Sequence, residues 1–322
     1  MGTVAIIVNP AAGKDIRRLV AEASPVSDAS KVGTLRRAVI GAMEGGASRV
    51  IMSGDRRGLA ERAIDRLEAS AEIEIMDAPA ADSAHSTREA AALCRSRGVG
   101  AVVVLGGDGT HRDVAKGWRD APIVALSTGT NNVFPRPHEA TVAGEAAALV
   151  ATEKVPLAAV THRAKTIDVQ LDDGENDLGL VDVVLTNDRF TAARAVWSPD
   201  GVREIVATIA EPGSVGLSAI AAAVAHQDRR APGAVHVRCD PNAASRVRAP
   251  IAPGLYASIG LMSHRHLEAG DSVTLKGPGV LSFDGERDRT LGADRTATAT
   301  IRADGPRVID VGRALAWASG RE

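Results

Sequence analysis

Residues 101–118, Ala-Val-Val-Val-Leu-Gly-Gly-Asp-Gly-Thr-His-Arg-Asp-Val-Ala-Lys-Gly-Trp, restrict the fold more than any other stretch of the chain. A run of apolar, mostly β-branched residues passes straight into three glycines, and a helix-like segment from His111 to Trp118 follows at once. That order reads as a buried strand ending in a glycine-rich turn that opens a helix. Gly106, Gly107 and Gly109 let backbone N–H groups approach a ligand closely, and the start of a helix favours anions. Asp108 stands in the middle of this turn, where a carboxylate would repel phosphate. It is either a turn aspartate satisfying neighbouring N–H groups or, as we favour, a carboxylate beside a phosphate site, serving as metal ligand, proton acceptor or hydroxyl binder.

The same unit repeats along the first part of the chain. Apolar runs at Val4–Val8, Val50–Met52, Ile73–Met76, Val102–Leu105 and Pro122–Leu126 alternate with helical patterns, which predicts a parallel, doubly wound sheet. In such sheets ligands bind beyond the carboxyl ends of strands. Three loops lie at such ends: Asn9 to Lys14, Gly106 to Thr110 and Ser127 to Asn132. Gly13-Lys14 pairs a flexible turn with a point charge and is read equally as an ordinary turn or a phosphate contact. It is not a P-loop, because Val8 and Asp15 replace the Gly and Ser/Thr which that pattern needs.

After Pro135-Arg-Pro137 the texture changes. A helix over about Glu139–Thr152 leads into short strands at Lys165–Leu171, Leu180–Thr186, Gly233–Arg238, Gly254–Ile259, Ser272–Leu275, Val280–Phe283 and Ala297–Ile301. Asp172 to Asp177 forms a hairpin turn between the first two, and a helix falls within Pro212–Ala225. Many short strands predict an antiparallel sandwich or barrel-like second domain. We therefore divide the chain into an α/β domain over residues 1–136 and a mainly β domain over 137–305. A C-terminal helical segment, 306–322, returns to the first domain.

Composition narrows the function. A net charge of −2 with both signs interspersed gives no basic field for nucleic acid. Neither a membrane span nor a signal peptide is read, and Cys94 and Cys239 fit reduced thiols, which together predict a cytoplasmic protein. Aromatics make up only 2%, so the core has to be built from Ala, Val, Leu and Ile. His264-Arg-His266 has ligand-like spacing but no companion cluster, which argues against zinc. His111, in the first helical turn, is close enough to touch a ligand. Asp284-Gly-Glu286 is a hairpin turn, or a turn that reaches the cleft with carboxylates to hold Mg²⁺ or a hydroxyl. Asn187-Asp188 closes a strand as a turn, or hydrogen-bonds a ribose or base.

Four motifs occur in an order that resembles the ATP-NAD kinase/diacylglycerol kinase superfamily: Val-Asn-Pro-Ala-Ala-Gly-Lys14, Gly-Gly-Asp-Gly-Thr110, Ser-Thr-Gly-Thr-Asn-Asn132 and Asp-Gly-Glu286. Asn-Pro-Ala-Ala-Gly-Lys-Asp-Ile-Arg-Arg18, Gly-Gly-Asp-Gly-Thr-His-Arg-Asp113 and Glu-Pro-Gly-Ser-Val-Gly-Leu-Ser218 look like its AcoX-type branch. The resemblance implies a Rossmann-like first domain, a β-sandwich second domain and an active site in the cleft. It implies transfer of a phosphoryl group from ATP or polyphosphate to a hydroxyl, with Mg²⁺, in a homo-oligomer (dimer or tetramer).

On that resemblance Asp108, Glu286 and Asp284 are the catalytic candidates, Asp284 also a metal ligand. Asn9, Gly13, Lys14, Thr87, Gly106, Gly107, Gly109, Thr110, Gly129, Thr130 and Asn131 would bind nucleotide. Asn187 and Asp188 look like the Asn-Glu pair that holds the adenosine part of NAD, with Asp in place of Glu; with Asn132 and His111 they would bind the acceptor. NAD(H) is the default acceptor, giving NADP(H). The Gly-Thr-x-Asn turn and Asp284-Gly-Glu286 lean towards diacylglycerol kinases, so a lipid or other small-molecule kinase is the first alternative. A non-enzymatic nucleotide-binding regulator is the second.

Overall fold

The computed structural model describes residues 2–12, 26–77, 79, 83–128, 132–187 and 201–320. The first unit contains β1 (Thr3–Val8), α1 (Asp28–Glu44), β2 (Arg49–Met52), α2 (Leu59–Ile64), β3 (Glu72–Ile75), α3 (Ala84–Ser96), β4 (Ala101–Gly106), α4 (Asp108–Gly117) and β5 (Pro122–Ser127). Strands β3-β2-β1-β4-β5 run parallel in that order. The sheet is covered on both sides, which is why its strands read as unbroken apolar runs. Val4, Ile6 and Val8 pack with Leu35, Val39 and Ala42 of α1. Ala5 and Ile7 turn to the other face, towards Ala91 and Cys94 of α3 and Val114 of α4.

The chain continues with α5 (Ala140–Ala151), α6 (Leu157–Val160), β6 (Thr161–Arg163) and then the strands of the second unit. These are β7 (Thr166–Leu171), β8 (Asn176–Gly179), β9 (Asp182–Thr186), β10 (Val202–Ala207), β11 (Ala234–Cys239), β12 (Arg246–Ala252), β13 (Leu255–Leu267), β14 (Ser272–Lys276), β15 (Gly279–Phe283), β16 (Glu286–Leu291) and β17 (Thr296–Arg302), with α7 (Ser218–Ala222) between β10 and β11. Among the described residues they form two antiparallel sheets, β12-β13-β11-β10-β9-β15-β16 and β14-β17-β7-β8. Ile167, Val169, Val183, Leu185, Leu281, Phe283, Ala299 and Ile301 fill the space between them. The expected sandwich is therefore present, and α7 closes its outer face over Val184, Ile205 and Val235.

Two boundaries differ from the sequence reading. The change of texture near residue 136 precedes the end of the first unit, because α5 packs against α1 and contributes Ala143, Ala147 and Leu149 to the first core. The approach is close: a Cβ on Gly41 would lie 1.8 Å from the Thr141 carbonyl oxygen. Such small-residue packing explains how a chain poor in aromatics fills its first layer. The second difference lies at the other end. The returning C-terminal segment carries β18 (Arg307–Ile309) as well as α8 (Val311–Ala318). β18 joins β5 in parallel and takes β6 antiparallel on its other side, so residues up to 163 belong with the first sheet.

Candidate functional site

The parallel order reverses between β1 and β4, and the crevice beyond their carboxyl ends is the expected place for a ligand. Asn9 and the Gly106–Thr110 turn meet there. The Asn9 backbone N–H donates to the Leu105 carbonyl (3.2 Å), and Asn9 Nδ2 donates to Thr110 Oγ1 (3.0 Å). Lys31, buried in the first turn of α1, donates from Nζ to the Pro10 carbonyl at 2.6 Å and holds the same loop from behind. Gly106 cannot carry a side chain, since a Cβ would sit 2.4 Å from Thr110 Cβ. Gly107 faces Asn132, whose Oδ1 would lie 2.9 Å from an added Cβ; Asn132 Nδ2 donates to Ser127 Oγ at 2.8 Å. A cavity of about 370 Å³ opens beside Asn9 and extends over Ser53, Gly54, Asp77, Ser86 and Thr87.

Asp108 is the first residue of α4. Its Oδ1 accepts the backbone N–H groups of Val133 (3.0 Å) and Phe134 (2.8 Å), and Oδ2 accepts Val133 at 3.1 Å. The carboxylate is thus oriented by the segment that follows β5. That segment is gripped from the second unit as well. Arg229 donates to the carbonyls of Val133 (3.0 Å) and Phe134 (2.9 Å) while its guanidinium is held by Glu211 at 2.7 Å. Glu286, at the start of β16, brings Oε1 within 3.4 Å of where a Cβ on Gly109 would be. The structure therefore gathers Asn9, Gly106, Gly107, Asp108, Gly109, Thr110, Asn132 and Glu286, with Thr87 on the wall of the adjoining cavity.

Helix α4 is locked to the second unit by buried charge. Arg112 Nε donates to the Leu178 carbonyl (2.6 Å), and its Nη2 reaches Asp177 Oδ1 (2.7 Å) and Asp288 Oδ2 (2.9 Å). The guanidinium also lies 4.6 Å from the centre of the Phe283 ring. Lys116 Nζ pairs with the same Asp177 oxygen at 2.6 Å. Burial works against the Arg112 charge, but Asp177, Asp284 and Asp288 outweigh it and hold its pKa above the ordinary value.

Three candidates take other roles. Asp284 is buried, and its Oδ1 accepts the backbone N–H groups of Leu180 (3.0 Å), Val181 (2.7 Å) and Asp182 (3.2 Å). Oδ2 accepts Leu180 at 3.1 Å. A carboxylate spent on that many amides pins the β8–β9 turn and is poorly placed to ligate Mg²⁺, so it is a positioning residue. Burial pushes its pKa up to about 6 against the pull of Arg112 and the amides. His111 does not face a ligand. It is fully buried, its Nδ1–H donates to the Gly107 carbonyl (2.8 Å), its ring packs on Phe134, and Nε2 has no partner. Burial lowers its pKa to about 4, so the ring is neutral.

Asn187 is exposed and follows the far end of β9, while Asp182 at the near end adjoins Asp284. Five residues of strand separate the two, roughly 16 Å. Asn187 therefore stands away from the gathered loops, because β9 carries it past them. Gly13, Lys14, Gly129, Thr130, Asn131 and Asp188 lie outside the described residues.

Four functional residues escaped the sequence reading. Asp182 is an acid inside the apolar run Leu180–Leu185, an anomaly that could have drawn notice. It is fully buried, its Oδ1 has no partner, and burial followed by the charges of Asp284 and Asp108 raises its pKa well above the carboxylate range. Arg112, Arg229 and Lys31 carry no local signal, since their partners lie 18 to 176 residues away. Among the described residues no group of three or more His, Cys, Asp or Glu could hold a metal ion, and no helix is long and apolar enough to cross a membrane.

A doubly wound first unit and a β-sandwich, meeting at a Gly-Gly-Asp-Gly turn, define a two-domain kinase-like protein, and comparison with known proteins agrees. Residues 4–155 match the ATP-NAD kinase N-terminal domain, and residues 165–304 match the acetoin catabolism protein X C-terminal domain. The chain is 34% identical to acetoin catabolism protein X of Cupriavidus necator, over 96% of this chain and 90% of that protein. It belongs to the acetoin catabolism protein X family. A solved structure of a candidate diacylglycerol kinase from Bacillus anthracis str. Sterne covers 96% of this chain and 98% of its own, at 12% identity and a TM-score of 0.42. That likeness adds nothing to the fold read from the sheets themselves.

Proposed function

We propose that the protein is a kinase that transfers the terminal phosphoryl group of ATP to an alcohol, with NAD(H) as acceptor and NADP(H) as product. The observation that carries this reading is the placement of Asp108: a carboxylate fixed by the Val133 and Phe134 amides, on the first turn of the helix that opens after Gly106 and Gly107. In this reading the donor occupies the cavity beside Asn9 and Thr87 and extends its phosphates towards Gly106–Thr110. Asp108 takes the proton of the acceptor hydroxyl. The freed oxygen then bonds to phosphorus as the bond to the leaving ADP breaks. A general base of this kind contributes about 10²- to 10⁴-fold.

Mg²⁺, when bound, neutralises phosphate charge. The residues fit an ion carried in with nucleotide rather than a protein-built cage. Such an ion needs only one or two carboxylates beside the phosphates, and Glu286, over the first turn of α4, is the one placed to supply them. The ATP-NAD kinase match of residues 4–155 supports NAD(H) as acceptor; Asn187 gives that choice no support.

Asp108→Asn tests the role. The amide Oδ1 can still accept both backbone N–H groups, so the fold is kept while the base is lost. Turnover measured with Mg-ATP against NAD, NADH, diacylglycerol and a polyol panel should fall at least about 10²-fold. Undiminished activity would overturn the role of Asp108. A wild-type protein that binds ATP but phosphorylates none of the panel would point to a nucleotide-binding regulator.

A further inference from the structure

Val133 and Phe134 offer their amides to Asp108 and their carbonyls to Arg229, and the carbonyl side borders a second cavity of about 500 Å³. This cavity lies on the seam between the two units. Arg136, His138, His162 and Asp310 approach it from the first, and Glu211 and the Asp228–Arg230 loop from the second. Neither imidazole makes a side-chain hydrogen bond among the described residues.

Three guanidinium groups of the lining, Arg136, Arg229 and Arg230, face the three carboxylates of Glu211, Asp228 and Asp310, and Lys165 in the adjoining cavity adds a fourth cation. Glu211 is shared between Arg229 (2.7 Å) and Arg136 (3.1 Å). Asp228 is spent on its own loop, where Oδ1 accepts the Arg230 N–H at 2.7 Å. Arg230 pairs with Asp310 at 2.6 Å. The excess is felt by the neighbouring groups. After burial, Arg229 is the main influence lowering the Arg136 pKa, and Arg230 and Arg229 help to push His162 down to about 4. An anion entering here relieves that field.

Arg136 and Arg230 are each about half exposed, and each spends one nitrogen on a carboxylate. A guanidinium carries five N–H donors in a planar fork that matches phosphate oxygens. The cavity has the size of a small-molecule site and exceeds what a bare phosphate ion fills. We propose that this seam cavity is a second ligand site, one that takes a small phosphate monoester with its phosphate between Arg136 and Arg230. The site is separate from the cavity beside Asn9 and does not depend on phosphoryl transfer at Asp108.

Calorimetric titration of the full chain with glycerol 3-phosphate and with inorganic phosphate, in a phosphate-free buffer, tests the site. Wild type should bind the monoester more tightly than inorganic phosphate. Arg136→Gln and Arg230→Gln should each weaken the monoester about tenfold or more with an unchanged urea midpoint. If one variant fails to fold, the other decides. No binding of either probe to wild type, or equal affinity in wild type and variants, overturns the site. Inorganic phosphate binding as tightly as the monoester overturns the ligand class.

Discussion

Replacing His111 with Leu should make the protein more resistant to acid than the wild type. The imidazole is fully buried with Nε2 unpaired, and its pKa falls from an ordinary 6.5 to about 4 because burial opposes the charged form. A histidine depressed in the folded state binds fewer protons there than in the unfolded chain throughout that window. Its stabilising effect is therefore complete above pH 6.5 and is lost as pH falls towards 4. A tenfold difference in proton affinity between the folded and unfolded chain is worth about 1.4 kcal/mol, so the full effect is about 3 kcal/mol, of which about 2 kcal/mol is lost by pH 5.

At pH 8 the variant gives up the Nδ1–H bond to the Gly107 carbonyl, a cost of about 1 kcal/mol. That carbonyl still receives the backbone N–H of position 111 at 3.2 Å, which leucine retains. Urea unfolding of both proteins at pH 8, 6.5, 5.5 and 5 measures the difference directly, since every other titrating group is common to the pair. The stability gap should close and then reverse in favour of the variant as the pH drops. Parallel pH profiles, or an imidazole resonance of His111 titrating near 6.5, would refute the reasoning.

Three further outcomes follow from the same geometry. Gly106→Ala places a Cβ 2.4 Å from Thr110 Cβ and must displace the first turn of α4; it should cost about 1–3 kcal/mol of stability in urea and weaken ATP binding, and an unaffected variant would remove the turn from the site. Arg112→Met strips a buried partner from Asp177 and should destabilise by about 3 kcal/mol, with Lys116 limiting the loss; a change under about 1 kcal/mol would mean that α4 is not held by this network. Chelation of divalent ions should stop turnover without lowering the melting temperature of the nucleotide-free protein, because the described residues hold no preformed cage; a fall in melting temperature would reveal a structural metal.

The local parts of this protein are legible in its amino-acid order. Strand β4, the glycine turn and helix α4 are contiguous, so the apolar run, the missing side chains and the helical period all fall within 18 residues and can be read together. The alternation of strands and helices likewise carried the parallel sheet, and the short strands the sandwich, because both periodicities are nearest-neighbour properties of the backbone. The tertiary structure decided what each acid in those motifs faces. Asp284 and Asp108 look alike in sequence, each an acid beside glycine. One is turned inward to three amides of β8–β9, and the other opens α4 and is held by the two amides of Val133 and Phe134. His111 sits three residues from Asp108, yet the helical turn sends it into the core. The position of Asn187 was not legible, because a residue at the end of a strand has no direction until the strand has neighbours; it follows the end of β9 opposite Asp182. Arg112 and Arg229, which fasten the two units around Asp108, were invisible for the same reason: their partners are set by the docking of one unit on the other, at sequence separations that no local pattern encodes.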